Sequence, residues 1–135
     1  MKKIIVIDDD GSNLEVIALV LEHAGYEVHT YFSGKNFLKN VAALMPDLII
    51  LDIILNGEDG RDLCKMIKNS NAFKSIPTLM ISIGDKRHLI DDCLADGYIE
   101  KPFAIEDLAS TVNSYLRQNW YPSLPAIEDY TLKQK

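Results

Sequence analysis

Carboxylates, a hydroxyl and an ammonium stand at the ends of apolar runs in this chain. Ile4-Ile5-Val6-Ile7 runs into Asp8-Asp9-Asp10, and Leu48-Ile49-Ile50-Leu51 runs into Asp52. Ile76-Pro77-Thr78-Leu79-Met80-Ile81 ends on Ser82, and Tyr98-Ile99 leads through Glu100 to Lys101-Pro102. If Asp8, Asp9 and Asp52 meet, they repel and lose hydration, so the cluster must either protonate or bind a cation. Hard oxygen ligands with room left for water suit Mg²⁺. A divalent ion leaves one negative charge on those carboxylates, and Lys101 can neutralise it. The same set can hold the oxygens of a phosphoryl group. A carboxylate beside Mg²⁺ is a plausible nucleophile for phosphorus, giving an aspartyl-phosphate. Positioned charge is most of what phosphoryl transfer needs.

The elements that must deliver these groups follow from periodicity. Short apolar runs read as buried parallel strands, and ligands of an open α/β sheet bind beyond the carboxyl ends of its strands. The order is strand then helix, five times over. The first strand spans about residues 3 to 8. Ser12 with Glu15 makes a capping box that starts helix one, and Gly25 closes it. Strand two, near Tyr26 to Tyr31, alternates and should be an edge strand. Helix two carries Phe37, Leu38, Val41 and Leu44 and stops at Pro46. Strand three is Asp47 to Asp52, followed by a turn-rich loop from Leu55 to Gly60. Helix three shows Leu63, Met66 and Ile67. Strand four is Thr78 to Ser82, and a short helix four has Leu89, Ile90, Cys93 and Leu94 as its apolar face. Strand five lies near Gly97 to Glu100, and helix five shows Ile105, Leu108, Val112 and Leu116. Such alternation means βαβ units and a doubly wound parallel sheet covered on both faces. Residues 1–118 form one domain; 119–135 read as a C-terminal tail in which Trp120, Tyr121, Leu124, Ile127 and Tyr130 are unusually apolar.

Bulk properties exclude several classes. The chain has 135 residues, enough to bury a core without staples. No apolar stretch approaches bilayer-spanning length, and the N-terminus lacks a signal-peptide pattern. Cys64 and Cys93 have no metal spacing and read as buried thiols in a reducing cytoplasm. The net charge of -6, without a basic stripe, argues against direct nucleic-acid binding. His23, His29 and His88 share no ligand spacing and read as surface residues.

Taken singly, each site residue has a bland reading. Acidic residues at strand ends often solvate a loop or cap the next helix, and Asp10 reads that way, at the mouth of the site or near the start of helix one. Ser82 alone is any strand-end hydroxyl, Lys101 alone any surface lysine, and Phe103 reads as core. Asp52 is different, because a fully apolar strand delivers it to the functional edge. The weight lies in the ordered set.

With those residues in place, the chain resembles a response-regulator receiver domain of two-component signalling, in its single-domain, chemotaxis-regulator-like form. The matching stretches are Lys3 to Asp10, Pro46 to Leu55 with Gly57 and Asp59-Gly60, Ile76-Pro77 through Ser82, and Asp96 to Phe103. The resemblance covers residues 3 to about 118. It implies a flavodoxin-like (βα)5 fold with strand order 2-1-3-4-5. It implies that Asp52 accepts a phosphoryl group from a phosphohistidine on a sensor histidine kinase or a histidine phosphotransfer protein. Asp8, Asp9 and Asp52, with the backbone carbonyl of Ile54, would hold Mg²⁺. Ser82 and Lys101 would contact the phosphoryl oxygens. Tyr98 matches the aromatic residue that swings inward when Ser82 moves, and the Lys101-Pro102 bond would be cis. The protein would be a cytoplasmic signalling switch rather than an enzyme, with a downstream protein target or a homodimer as its output.

The pattern has departures. Asn56 replaces a frequent proline, which predicts a looser loop. Ile83 follows Ser82 where the family usually has Ala or Gly, which predicts a crowded phosphorylation pocket. Ile54 and Gly84 cannot position a hydrolytic water, which predicts a long-lived phosphoryl state and slow autodephosphorylation. The segment from Ser82 to Tyr98 is short by about one helical turn, which puts the usual partner-binding face in question. Three rivals remain. Asp8-Asp9-Asp10-Gly11-Ser12 resembles the nucleophile motif of haloacid-dehalogenase-like phosphatases, with Asp8 as nucleophile and Asp10 as acid/base, but that reading leaves Asp52 without a role. A flavodoxin-like flavin binder would need a phosphate loop that the aspartates would repel. A degenerate receiver would act only as a docking module.

Overall fold

The computed structural model of the chain describes residues 1–116. The expected domain boundary at 118 and the tail from 119 to 135 lie outside the described residues.

A central sheet of five parallel strands carries the fold. The strands and helices run β1 (Lys3–Ile7), α1 (Gly11–His23), β2 (Glu27–Tyr31), α2 (Phe37–Leu44) and β3 (Leu48–Asp52). A small hairpin follows, β4 (Ile54–Leu55) with β5 (Glu58–Asp59), then α3 (Gly60–Lys68), β6 (Thr78–Ile83), β7 (Gly97–Lys101) and α4 (Ile105–Leu116). The sheet order is β2-β1-β3-β6-β7. Counting main-sheet strands alone, this is the expected 2-1-3-4-5.

Alternation along the strands builds two cores. Ile5, Ile7, Ile49, Leu51 and Met80 face one side with Phe37, Val41, Leu63 and Ile67 from α2 and α3. Ile4, Val6, Leu48, Ile50, Leu79 and Ile81 face the other with Leu14, Ile17, Leu108 and Val112 from α1 and α4. Burying each such side chain contributes roughly 1.5–3 kcal/mol. The strands that carry the site residues are therefore firmly held. Phe103 packs against the second core, as expected.

Several local expectations need correction. Helix one is capped by Asp10, not Ser12: the Asp10 carboxylate accepts the backbone N–H of Ser12 at 2.9 Å and of Asn13 at 3.4 Å. A carboxylate there also complements the helix dipole. The loop after strand three folds into the β4–β5 hairpin, turning at Asn56-Gly57 with Gly57 at φ 77. Asn-Gly is a strong hairpin signal, and it outweighs the looseness expected from losing a proline.

The expected fourth helix does not form. Residues 84–96 make two 3₁₀ turns, Arg87–Leu89 and Asp91–Cys93. Of the proposed apolar face only Cys93 is fully buried, and Leu94 is 64% exposed. This short segment must travel back along the sheet to start another parallel strand. A 3₁₀ turn rises about 2.0 Å per residue against about 1.5 Å for an α-helix, so it spans more distance with fewer residues.

Cys64 and Cys93 are free and fully buried, as expected. The Cys64 thiol donates to the Cys93 carbonyl at 3.3 Å. Burial, reinforced by the neighbouring Cys93 thiol, pushes Cys64 up to about 12. Thiolate is the reactive form. Alkylation of the native protein at pH 8 is therefore expected to be negligible, and both thiols should react once it is unfolded. Mass spectrometry after iodoacetamide treatment checks this, and rapid native labelling of Cys64 would contradict it.

Candidate phosphoacceptor site

Strand register brings the site together. Ile7 lies opposite Leu51, so Asp8 and Asp52 leave neighbouring strands on the same rung. Asp52 lies opposite Ile81, and Ile83 opposite Lys101. The four strands that carry Asp8, Asp52, Ser82 and Lys101 therefore end at one edge of the sheet.

Asp8 is fully buried, Asp52 is 5% exposed, and Asp9 faces solvent. Each of the three places a carboxylate oxygen within 4.8 Å of the others. Lys101, 8% exposed, donates to Asp8 Oδ2 at 2.6 Å and to Asp52 Oδ2 at 2.8 Å. The Ile54 amide donates to Asp52 Oδ1 at 3.0 Å. Burial raises the Asp52 pKa, and the Asp8 charge adds to it, while bonds from Lys101 and Ile54 pull the other way. For Lys101, burial opposes the charged form, but bonds to Asp52 and Asp8 outweigh it and hold the ammonium charged.

Two carboxylates share one ammonium, and the third, on Asp9, is exposed. All three offer hard oxygens, which is the donor chemistry of an Mg²⁺ site.

Ser82 is 2% exposed, and its hydroxyl has no hydrogen-bond partner among the described residues. A buried hydroxyl without a partner costs free energy unless something else satisfies it. Ile83 does not crowd this site. It is 68% exposed, because strand alternation turns it outward when Ser82 turns in. The Tyr98 hydroxyl donates to the Ser82 carbonyl at 3.1 Å and to the Gly84 carbonyl at 2.6 Å. It thus contacts the turn that carries Ser82. The Lys101-Pro102 bond is cis, as the resemblance implied.

Asp10, as α1 cap, is exposed and committed to backbone amides. It is poorly placed for the acid/base role that the phosphatase-like reading gives it. Asp52, which that reading leaves idle, lies at the centre of the cluster.

Comparison with known proteins agrees with this geometry. The model of the response regulator receiver domain family matches residues 4–113.

The chain belongs to this family.

Among its relatives is the DNA-binding response regulator MtrA of Mycobacterium tuberculosis, 34% identical over 123 residues, covering 87% of this chain and 52% of that protein. PhoP of Bacillus subtilis, an alkaline phosphatase synthesis transcriptional regulatory protein, is also 34% identical, with 87% and 50% covered. The chain spans about half the length of the curated relatives it matches. Among solved structures, the chemotaxis response regulator CheY4 of Vibrio cholerae superposes with a TM-score of 0.80 at 28% identity, covering 86% of this chain and 99% of that one. The BeF3-activated receiver domain of Klebsiella pneumoniae RstA gives 0.78 at 28% identity, with 87% and 100% covered. These relatives are response regulators, and the phosphatase reading is set aside.

Two features of this receiver site escaped the sequence. Gly60 comes so close to β3 that a Cβ there would lie 1.8 Å from the Asp52 carbonyl oxygen. Its place in Asp59-Gly60 marked the position without revealing the contact. Lys86 donates from its ammonium to the Ile83 carbonyl, beside Ser82. Nothing in the local sequence singles it out.

No helix of the described residues is long and apolar enough to cross a membrane.

Proposed function

We propose that this receiver is a phosphorylation-controlled switch whose acceptor is Asp52. One observation carries the reading: the buried Asp52 carboxylate lies against both Asp8 and the Lys101 ammonium at the sheet edge. A cation set beside a carboxylate screens an approaching phosphoryl group without neutralising the nucleophile. Asp52 Oδ forms a bond to phosphorus as the P–N bond of a phosphohistidine breaks. The electron pair returns to the imidazole, which takes a proton from solvent. Lys101 follows the charge onto the phosphoryl oxygens, and the unpartnered Ser82 hydroxyl donates to one of them.

Asp8, Asp9, Asp52 and the Ile54 carbonyl would hold Mg²⁺. Bound there, the ion would supply positive charge to the equatorial oxygens of the transferring group. The donor is a histidine kinase or a histidine phosphotransfer protein, and the output is a protein-binding face or a homodimer. The names of the relatives above describe DNA binding for those longer proteins. This chain matches about half their length and is acidic, with a net charge of -6.

The phosphoryl state is long-lived, because Ile54 and Gly84 cannot orient an attacking water. A hydrolysis half-life of seconds would overturn this part of the reading.

Intact-mass analysis after incubation with acetyl phosphate tests the whole. A gain of one phosphoryl group is expected with Mg²⁺, and none in Asp52→Asn. No Mg²⁺-dependent gain in the wild type would leave a docking module. The control is expected to be well folded. A raised carboxyl pKa is a penalty that is absent below the ordinary value of 3.8 and complete above the folded value. At neutral pH, Asp52→Asn removes that penalty, so its Tm should equal or exceed that of the wild type.

A further inference from the structure

The turn that follows Ser82 is closed by side chains rather than by a helix. Its three successive carbonyls, of Ser82, Ile83 and Gly84, all accept side-chain donors. The Tyr98 hydroxyl takes the first and third, and the Lys86 ammonium takes the second. Gly84, at φ 77, lets the chain double back, and its own N–H reaches the Lys101 carbonyl at 3.3 Å. Residues 82–84 therefore wrap the Tyr98 hydroxyl, and the Lys86 ammonium holds the carbonyl between its two contacts.

This closure matters because the next segment supplies little support. The stretch from Asp85 onward is 3₁₀ turns with Leu89 and Ile90 only partly buried. Lys86 also lines a cleft of about 240 Å³ with Ile53 and Ile54, the residues immediately after the acceptor. Lys86 thus sits between the acceptor strand's exit and the turn carrying the hydroxyl.

We propose that Lys86 is a positioning residue: its ammonium, by holding the Ile83 carbonyl, fixes the Ser82–Gly84 turn so that the Ser82 hydroxyl meets the phosphoryl group. The inference rests on Asp52 being the acceptor. Lys86 does not touch the reacting atoms. It acts through Ser82.

A double-mutant cycle tests it. Rates of phosphoryl gain from acetyl phosphate with Mg²⁺ are measured by intact mass for the wild type, Lys86→Met, Ser82→Ala and the double variant. A single half-exposed, charge-assisted bond supports a loss of about three- to tenfold in Lys86→Met. Lys86→Arg, which keeps a donor of similar reach, should recover most of it. In the Ser82→Ala background, Lys86→Met should change nothing further, because the hydroxyl it positions is gone. If the two losses multiply, Lys86 acts elsewhere, on the cleft or on the fold, and the proposal fails. It fails equally if Lys86→Met matches the wild type. A wild type that gains no phosphoryl group would instead refute the acceptor reading, and the two failures are distinguishable. Thermal melts separate a folding defect, since Lys86→Met should keep a wild-type Tm.

Discussion

Lys101→Met is expected to cost about 3–5 kcal/mol of folding stability, the usual toll of leaving buried charge unpaired. Lys101 is the shared partner of Asp8 and Asp52, at 2.6 and 2.8 Å. Both carboxylates are at least nine-tenths buried, so solvent offers little compensation. Methionine keeps the stem and removes the charge, leaving two carboxylates facing each other. Urea unfolding at pH 7 measures the loss. Adding Asp52→Asn should recover a large part of it, because the second variant removes one of the stranded charges. Strict additivity would show that the pair is not coupled as the geometry requires. Phosphoryl gain should fall by about 10²–10³, the typical effect of removing one donor aimed at developing negative charge. Mg²⁺ should raise the Tm of Lys101→Met more than that of the wild type, since it restores cation to a cluster that has lost its own.

The pH dependence has a definite sign. The Lys101 pKa is raised by folding, so its contribution is fully present below the ordinary lysine value of 10.5. It is lost as pH rises through the higher folded value. The stability gap between wild type and Lys101→Met should therefore persist through neutral pH and close in strong alkali. On acidification it should also shrink, as Asp52, with its raised pKa, takes up a proton.

Gly60→Ala is the second large effect, and it acts through backbone contact. Gly60 N–H donates to the Ile53 carbonyl at 2.8 Å, which draws the start of α3 onto the end of β3. A methyl group there would lie 1.8 Å from the Asp52 carbonyl oxygen and 3.2 Å from Ile53 Cα. Neither atom belongs to a side chain that can rotate away. Alanine must push α3 off β3, breaking the Ile53 bond and opening the packing of Leu63, Cys64 and Ile67 against the sheet. The expected cost is more than about 4 kcal/mol, in the range reserved for severe overpacking and loss of buried bonds. The variant should be largely unfolded, or folded with a displaced Asp52 and little phosphoryl gain. Circular dichroism melts with intact-mass analysis check both, and a Tm within a few degrees of wild type would refute the contact.

Much of this protein is legible in its sequence. Three long apolar runs and the short Tyr98-Ile99 run marked the parallel strands, because a strand buried on both faces reads as a near-continuous apolar stretch. Since such strands end together at one edge, the residues after them, Asp8, Asp52, Ser82 and Lys101, had to converge. Their order along the chain also carried the family resemblance. Phe103 as core was readable from local chemistry alone, whereas the capping box read at Ser12 gave way to Asp10.

The tertiary structure decided what depends on distance across the chain. Helix four looked helical by periodicity, yet a span too short for its path forced 3₁₀ turns instead. Ile83 looked like an obstruction until strand alternation turned it to solvent. The closeness of Gly60 to the Asp52 carbonyl and the reach of Lys86 to Ile83 are set by how α3 and the β6–β7 connection pack on the sheet. Composition and periodicity specify which face a residue takes within its own element. They do not specify the few ångströms between elements, and those distances are where the Asp52 carboxylate acquires its partners.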